Sequence, residues 1–143
     1  MIIGFQVIAA IEASYLDYRY PFSNAGRVAG YLEREKLTEN VIVGYRDYSN
    51  SAVSGYLKQK QFYYPESGRY GSFVRWDNHR EPVSQQYIVA QAIVQREAKN
   101  RSVIIILIEP LDPALVIAQN LKPLARFTGS VVGDEDYFLY LLK

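Results

Sequence analysis

The sequence predicts a single α/β domain of Rossmann-like, three-layer type, with a mostly parallel sheet and a C-terminal antiparallel hairpin. Three observations lead there. Val103-Ile104-Ile105-Ile106-Leu107-Ile108 is an uninterrupted, β-branched run, the pattern of a strand covered on both faces. Val41-Ile42-Val43 is a shorter run of the same kind, followed at once by polar turn formers and then by apolar residues at helical spacing, which reads as strand, turn, helix. Helical and extended segments alternate along the chain, and that alternation builds a parallel sheet with helices on its faces.

The elements follow in order. Residues 1–20 form an apolar and aromatic N-terminal segment, and residues 21–143 form the α/β domain. Met1 to Ile11 is nearly continuous apolar sequence but is shorter than the ~20 residues that a spanning helix needs. It reads equally as a buried first element or as the tail of a transmembrane helix, with Tyr15, Tyr18 and Tyr20 as an interfacial belt. Pro21 and Ser23 open a helix whose Ala25, Val28, Ala29 and Leu32 share one face. After the Val41 strand, Asp47, Ser49 and Asn50 offer capping oxygens to a helix over Ser51 to Leu57. Phe62-Tyr63-Tyr64-Pro65 suits a short second strand, and the alternation in Ser72-Phe73-Val74-Arg75-Trp76-Asp77 predicts a third. Ser84 caps a long helix that is expected to turn Tyr87, Ala90, Ile93, Val94 and Ala98 inward, with Asn100 as its left-handed C-terminal cap. The Val103 run is the central strand. Asp112-Pro113 starts a short helix, and strands near Leu124 to Ser130 and Tyr137 to Leu142 flank the acidic turn Gly133-Asp134-Glu135-Asp136.

Composition excludes several function classes. Sixteen Lys and Arg against fifteen Asp and Glu leave almost no net charge, so electrostatic capture of nucleic acid is not indicated. Without cysteine and with one histidine, the chain has no thiolate nucleophile, no zinc–sulfur site and no multi-His centre, and neither metal nor cofactor is expected. His79 has no fixed Ser or Cys partner for a triad, and no glycine-rich phosphate loop follows any strand. Thirteen tyrosines are the unusual feature, and such residues serve cores, interfaces and sugar-binding surfaces alike.

Parallel strands would bring Tyr45-Arg46-Asp47, Tyr64-Pro65-Glu66 and Glu109 to one end of the sheet, where α/β proteins bind ligands. Asp47 reads first as a helix cap and second as a general base or hydroxyl acceptor. Arg46 and Arg69 are candidates for clamping an anion. Trp76-Asp77 has the stacking-plus-acceptor chemistry that suits a sugar ring. Tyr45, Tyr64, Trp76 and Arg69 would together make a shallow aromatic and polar surface. The candidate binding set is therefore Tyr45, Arg46, Asp47, Tyr64, Arg69, Trp76, Asp77 and Glu109, with no catalytic residue assigned.

Pro21-Phe22-Ser23-Asn24-Ala25 with Val28-Ala29 and Tyr31-Leu32, Val41 to Asp47, Ser51 to Leu57, Phe62 to Pro65 and Gly71 to Asp77 together carry a resemblance. The chain resembles the soluble C-terminal domain that follows the last transmembrane helix in some bacterial, notably cyanobacterial, multi-spanning glycosyltransferases. These are related to the dolichyl-phosphate-mannose mannosyltransferase (GT-C) class. The resemblance implies a non-catalytic domain on the extracytoplasmic face of the cell membrane that assists recognition of an acceptor glycan or lipid-linked sugar. In such enzymes the catalytic acids lie near the first transmembrane helix, a region with no counterpart here. The competing expectations are a stand-alone α/β enzyme or binding module for a sugar or nucleotide, cytoplasmic in that case, and a purely structural interaction domain.

Overall fold

The computed structural model describes residues 2–19, 21–74, 81–133 and 135–143. Along them run α1 (Ile2–Arg19), α2 (Ala25–Arg34), β1 (Val41–Gly44), α3 (Asp47–Tyr56), β2 (Phe62–Tyr64), β3 (Arg69–Gly71), α4 (Gln85–Lys99), β4 (Val103–Leu107), α5 (Pro113–Ala118), β5 (Lys122–Phe127) and β6 (Tyr137–Leu142). The strands form one open six-stranded sheet in the order β3-β2-β1-β4-β6-β5.

The fold is mixed α/β, but the expectation of a mostly parallel sheet is corrected. Among the described residues only β1 with β2 and β1 with β4 pair in parallel, whereas β2 with β3, β4 with β6 and β5 with β6 are antiparallel. Connection length explains the difference. A parallel pair needs a crossover of a dozen or more residues, which the segments carrying α3 and α4 supply. The short turn over residues 65–68 permits only an antiparallel return. That turn also displaces the third strand: the Ser67 and Gly68 amides bond the Tyr64 carbonyl at 3.2 and 2.9 Å, and Gly68 takes a positive φ of 65°. Arg69–Gly71 therefore folds straight back onto β2, while Ser72 to Val74, expected as strand, lie outside it, and residues 75–80 fall outside the described residues.

Alternation along the strands divides the core. Ile42, Phe62, Tyr64, Ile104, Ile106, Tyr137 and Leu139 pack with Ala25, Val28, Ala29 and Leu32 of α2 and Val53 of α3. Val43, Tyr63, Val103, Ile105, Leu107, Tyr140 and Leu142 pack with Ile88, Val89 and Ala92 of α4. Burial of all of Val103–Leu107 bears out the central strand, and α2 buries the four residues expected of it. The inward face of α4 is not the expected one. Tyr87, Ala90, Val94 and Ala98 are exposed, because apolar residues lie on several sides of this helix and its periodicity alone leaves the rotation open. Its caps are as expected: Ser84 Oγ accepts from the Tyr87 amide at 3.2 Å, and Asn100 is left-handed with φ 49° and ψ 45°.

Directions within the sheet matter most for function. β1, β2 and β4 end on one edge, called the carboxy edge below, and α3 begins there. The antiparallel pairing of Leu107 with Phe138 brings the start of β6 to the same edge. The chain also enters the sheet there, since the Val131 and Val132 amides donate to the carbonyls of Pro21 and Phe22 at 3.0 and 3.1 Å. Before that entry α1 presents Val7, Ile8, Ile11 and Tyr15 to solvent, with Ile8 60% and Ile11 63% exposed. It is thus not the buried first element that was one of the two expectations. Among the described residues no helix is long and apolar enough to cross a membrane.

Gly44 closes β1 where the Asn50 side chain lies against the backbone. A Cβ on Gly44 would stand 2.9 Å from Asn50 Cγ and 3.1 Å from its Cβ, and both atoms are held by α3. Gly44→Ala should cost ~1–3 kcal/mol through this overlap, read as a lower urea midpoint at unchanged slope. An unshifted midpoint would mean that the turn yields freely.

Candidate functional site

The turn from β1 into α3 is built on a strained residue. Arg46 precedes the helix with φ 64° and ψ 90°, a conformation few side chains adopt, at a cost of order 1–3 kcal/mol. Asn50 stabilises it. Fully buried, its Nδ2 donates to the carbonyls of Tyr45 and Arg46 at 2.7 and 3.2 Å, while its backbone amide makes the first helical bond to Arg46 at 3.1 Å. The Arg46 guanidinium lies 4.9 Å from the Tyr45 ring centroid, within cation–π range.

Arg46 has no side-chain oxygen with which to cap α3. The Asp47 amide instead donates to Glu66 Oε1 at 2.6 Å, bridging the loop after β2 to the helix start. A carboxylate from the chain itself therefore occupies the helix N-terminus, where the dipole and free amides favour an anion. Asp47, expected first as the cap, is instead the first helical residue, and Arg46 stands at the cap position. Asp47 is 4% exposed and Glu66 7%, so two carboxyls are buried side by side.

Burial is the main cause that raises the Glu66 pKa, and the Asp47 charge adds to it. The Asp47 amide and the Arg46 guanidinium pull the other way. The Asp47 side chain raises Glu66 further through hydrogen bonding, in the same direction as burial. Tyr64, 2% exposed, stands beside them, and burial followed by the Asp47 and Glu66 charges drives its phenol upward. Tyr137 is raised in the same way, by burial first, then by Glu135 and by Tyr64, and its hydroxyl donates to the Ser49 carbonyl at 2.8 Å. Among the described residues three buried polar atoms lack a hydrogen-bond partner: Asn50 Oδ1, the Tyr64 hydroxyl and Glu135 Oε2. All three belong to this carboxy-edge neighbourhood.

A cavity of about 90 Å³ opens beside Asp47 and Tyr64, with Gln61, Ser67, Arg69 and Gly71 among its walls. Thus Asp47, Tyr64 and Arg69 of the expected set line one space, and Arg46 acts on Glu66 next to it. Tyr45 instead packs with the α4 side of the sheet, and Glu109 is exposed beyond β4 and is not among the cavity walls. Tyr64 is too deeply buried for ring stacking, so it and Tyr45 form no common aromatic surface. Trp76, Asp77 and His79 lie outside the described residues. Among the described residues no group of three acidic or histidine side chains is placed to hold a metal ion.

Glu66 was expected at this edge but not as a partner of Asp47. The usable signal was Arg46: a helix start without its own capping oxygen needs an acceptor from elsewhere, and the loop after the neighbouring parallel strand is nearest. Gln61, Ser67 and Tyr137 gave no local signal, since their placement depends on pairing across the sheet. This chain matches no known protein family, no curated protein and no solved structure.

The raised Glu66 pKa fixes the sign of a pH effect. The folded state holds this proton to higher pH than the unfolded chain, so the stability contributed by Glu66 is full below the ordinary value of 4.5 and is lost as pH climbs through the folded value. Glu66→Gln keeps an oxygen for the Asp47 amide and carries no charge. Its urea midpoint should therefore gain on that of the parent protein between pH 4 and pH 8. A difference that is flat, or that grows toward acid, would contradict the assignment.

Proposed function

We propose that this chain is a membrane-attached, non-catalytic recognition domain. In this reading it lies on the extracytoplasmic face of a glycosyltransferase-like membrane protein and presents its carboxy edge to a glycan or lipid-linked sugar. The observation that carries the reading is α1, an exposed helix with apolar residues on more than one side that joins the domain at the edge holding the buried polar cluster. A helix with apolar residues on more than one side needs more cover than one protein groove provides, and a lipid surface can cover several sides at once. Phe22 and Val131, both exposed at the point of entry, extend this apolar surface onto the domain itself. With α1 in lipid, the carboxy edge faces the headgroups, where a lipid-linked sugar is presented. The parallel unit β2-β1-β4, covered by α3 and α4 on opposite faces, serves in this reading as a Rossmann-like scaffold whose carboxy edge is the binding edge.

One observation favours a second reading, a sugar- or nucleotide-directed enzyme with Asp47 as acid or base. A buried carboxyl pair with one member raised is the arrangement that acid–base sites use. Against it, the Glu66 carboxyl already serves the Asp47 amide.

Flotation of the full chain with neutral phosphatidylcholine vesicles tests the membrane reading. The protein should rise with the lipid, and the double variant Ile8→Glu, Ile11→Glu should bind at least about tenfold more weakly. Each buried isoleucine contributes ~1.5 kcal/mol or more, and neither belongs to the core of the domain. A parent protein that stays off the vesicles at millimolar lipid, or a variant that floats equally well, overturns it.

A further inference from the structure

Charge is nearly balanced over the whole chain, but it is not evenly spread. The edge of the sheet opposite the carboxy edge, where β1, β2 and β4 begin, holds an open cavity of about 390 Å³. Its charged wall residues are Lys60, Lys99, Arg101 and Glu39. Among the described residues none of these three cations makes an ion pair, whereas Arg34 and Arg96 pair with Glu35 and Glu97, each at 3.5 Å.

Two of the cations are held in place without being neutralised. Arg101 Nη1 donates to the Glu39 carbonyl at 3.2 Å, and Lys99 Nζ lies 5.8 Å from the centroid of the Tyr70 ring, so both charged heads stand against other residues of the same wall. Tyr70 is itself fixed, its hydroxyl donating to Gln95 Oε1 at 2.6 Å. Lys60 is half-buried, and its backbone is pinned on both sides: its carbonyl accepts from Ser54 Oγ at 2.7 Å, and its amide donates to the Leu57 carbonyl at 3.2 Å. A cation in the last turn of a helix complements the helix dipole, which accounts for Lys99. Lys60 and Arg101 lie past the ends of α3 and α4, so the dipole does not account for them.

We infer that this cavity binds a soluble phosphate monoester. Three cations stand against one carboxylate, and a phosphate monoester carries about −1.5 to −2 charges at pH 7, which that excess matches. Arg101 keeps guanidinium N–H groups beyond the one given to Glu39, and with the two lysines they offer charge-assisted hydrogen bonds to phosphate oxygens. The volume lies in the range of small-molecule sites and exceeds what bare phosphate fills. The amides of Asn40 and Gln61, also on the wall, can donate to and accept from the hydroxyls of the esterified group. The chain enters the sheet at the opposite edge, so in the membrane reading this cavity faces away from lipid, and its ligand is a free ester rather than a lipid headgroup. That choice of source rests on the membrane reading, whereas the phosphate chemistry rests on the cavity alone.

Amide NMR shifts of the full chain, titrated at constant ionic strength with glycerol phosphate, inorganic phosphate and glycerol, test it. Glycerol phosphate should shift the Asn40, Val41, Gln61 and Arg101 amides at millimolar concentration. Inorganic phosphate should bind several-fold more weakly, and glycerol should leave these amides in place. Lys99→Gln and Arg101→Gln, both at exposed positions, should each weaken the ester about fivefold, the upper range for an exposed ion pair. Arg34→Gln, outside the cavity, should change nothing. A response to glycerol or to inorganic phosphate equal to that of the ester overturns the site, as do shifts confined to other residues or unchanged binding in both variants. Flotation with vesicles containing phosphatidylglycerol separates the two sources of phosphate. Both variants should bind these vesicles as the parent protein does, and a loss confined to anionic vesicles overturns a soluble ligand. The outcome with neutral vesicles reports on α1 alone, so the membrane reading and this site fail separately.

Discussion

The bond from the Asp47 amide to Glu66 is the constraint on which the carboxy edge depends. It joins residues 19 apart in sequence, and both are buried. Because Arg46 has no side-chain oxygen with which to cap α3, the Asp47 amide finds its acceptor in the carboxyl that the loop after β2 brings. That loop can reach it only if β2 lies parallel to β1 on the correct side. The interaction therefore couples a local event, helix capping, to a long-range one, strand order. A hydrogen bond to a charged carboxyl contributes more than a neutral one, which offsets part of the strain in Arg46.

The same bond clarifies why a phosphate-binding loop is not to be sought here. In many α/β sheets the first strand-to-helix turn leaves its amides open and a ligand supplies the anion. Here the chain supplies its own. What remains open is lateral to that turn, between the Tyr64 ring and the β2–β3 hairpin, with Asp47, Gln61, Ser67 and Arg69 among its walls. Of the sheet tyrosines, Tyr63, Tyr70 and Tyr137 tie the sheet to α4 and α3 through a hydroxyl, whereas the Tyr64 hydroxyl is buried without a partner.

Much of the fold was legible in local sequence, for reasons that can be traced to residues. The β-branched run from Val103, the one-sided periodicity of α2, the Ser84 and Asn100 caps and the Asp112-Pro113 start of α5 are all set by neighbours within a turn or two, and each stands in the structure. Strand direction was less legible, since it depends on how many residues separate two strands and on which of them find each other. Thus Arg69–Gly71 took the place expected for Ser72 to Asp77. The rotation of α4 was obscured by apolar residues on several of its sides. Within the site, Asp47, Tyr64 and Arg69 could be brought to one edge from the order of elements alone. The pairing of Asp47 with Glu66, the separation of Tyr45 from Tyr64 by the thickness of the sheet, and the unpaired hydroxyl arise only once side chains alternate across a folded sheet.

The two hydrogen bonds at the chain's entry have a mechanical meaning. Pro21 and Phe22 hold Val131 and Val132, and Asp136, at the far end of that same loop, accepts from the Asn24 side-chain Nδ2 and from the Ser130 backbone amide at 3.5 and 3.4 Å. The next residue, Tyr137, is bolted to Ser49 in α3. A pull on Pro21 would load these bonds in series, from Pro21 through the β5–β6 loop to the first turn of α3, so tension at the point of entry and the shape of the carboxy edge are one elastic system.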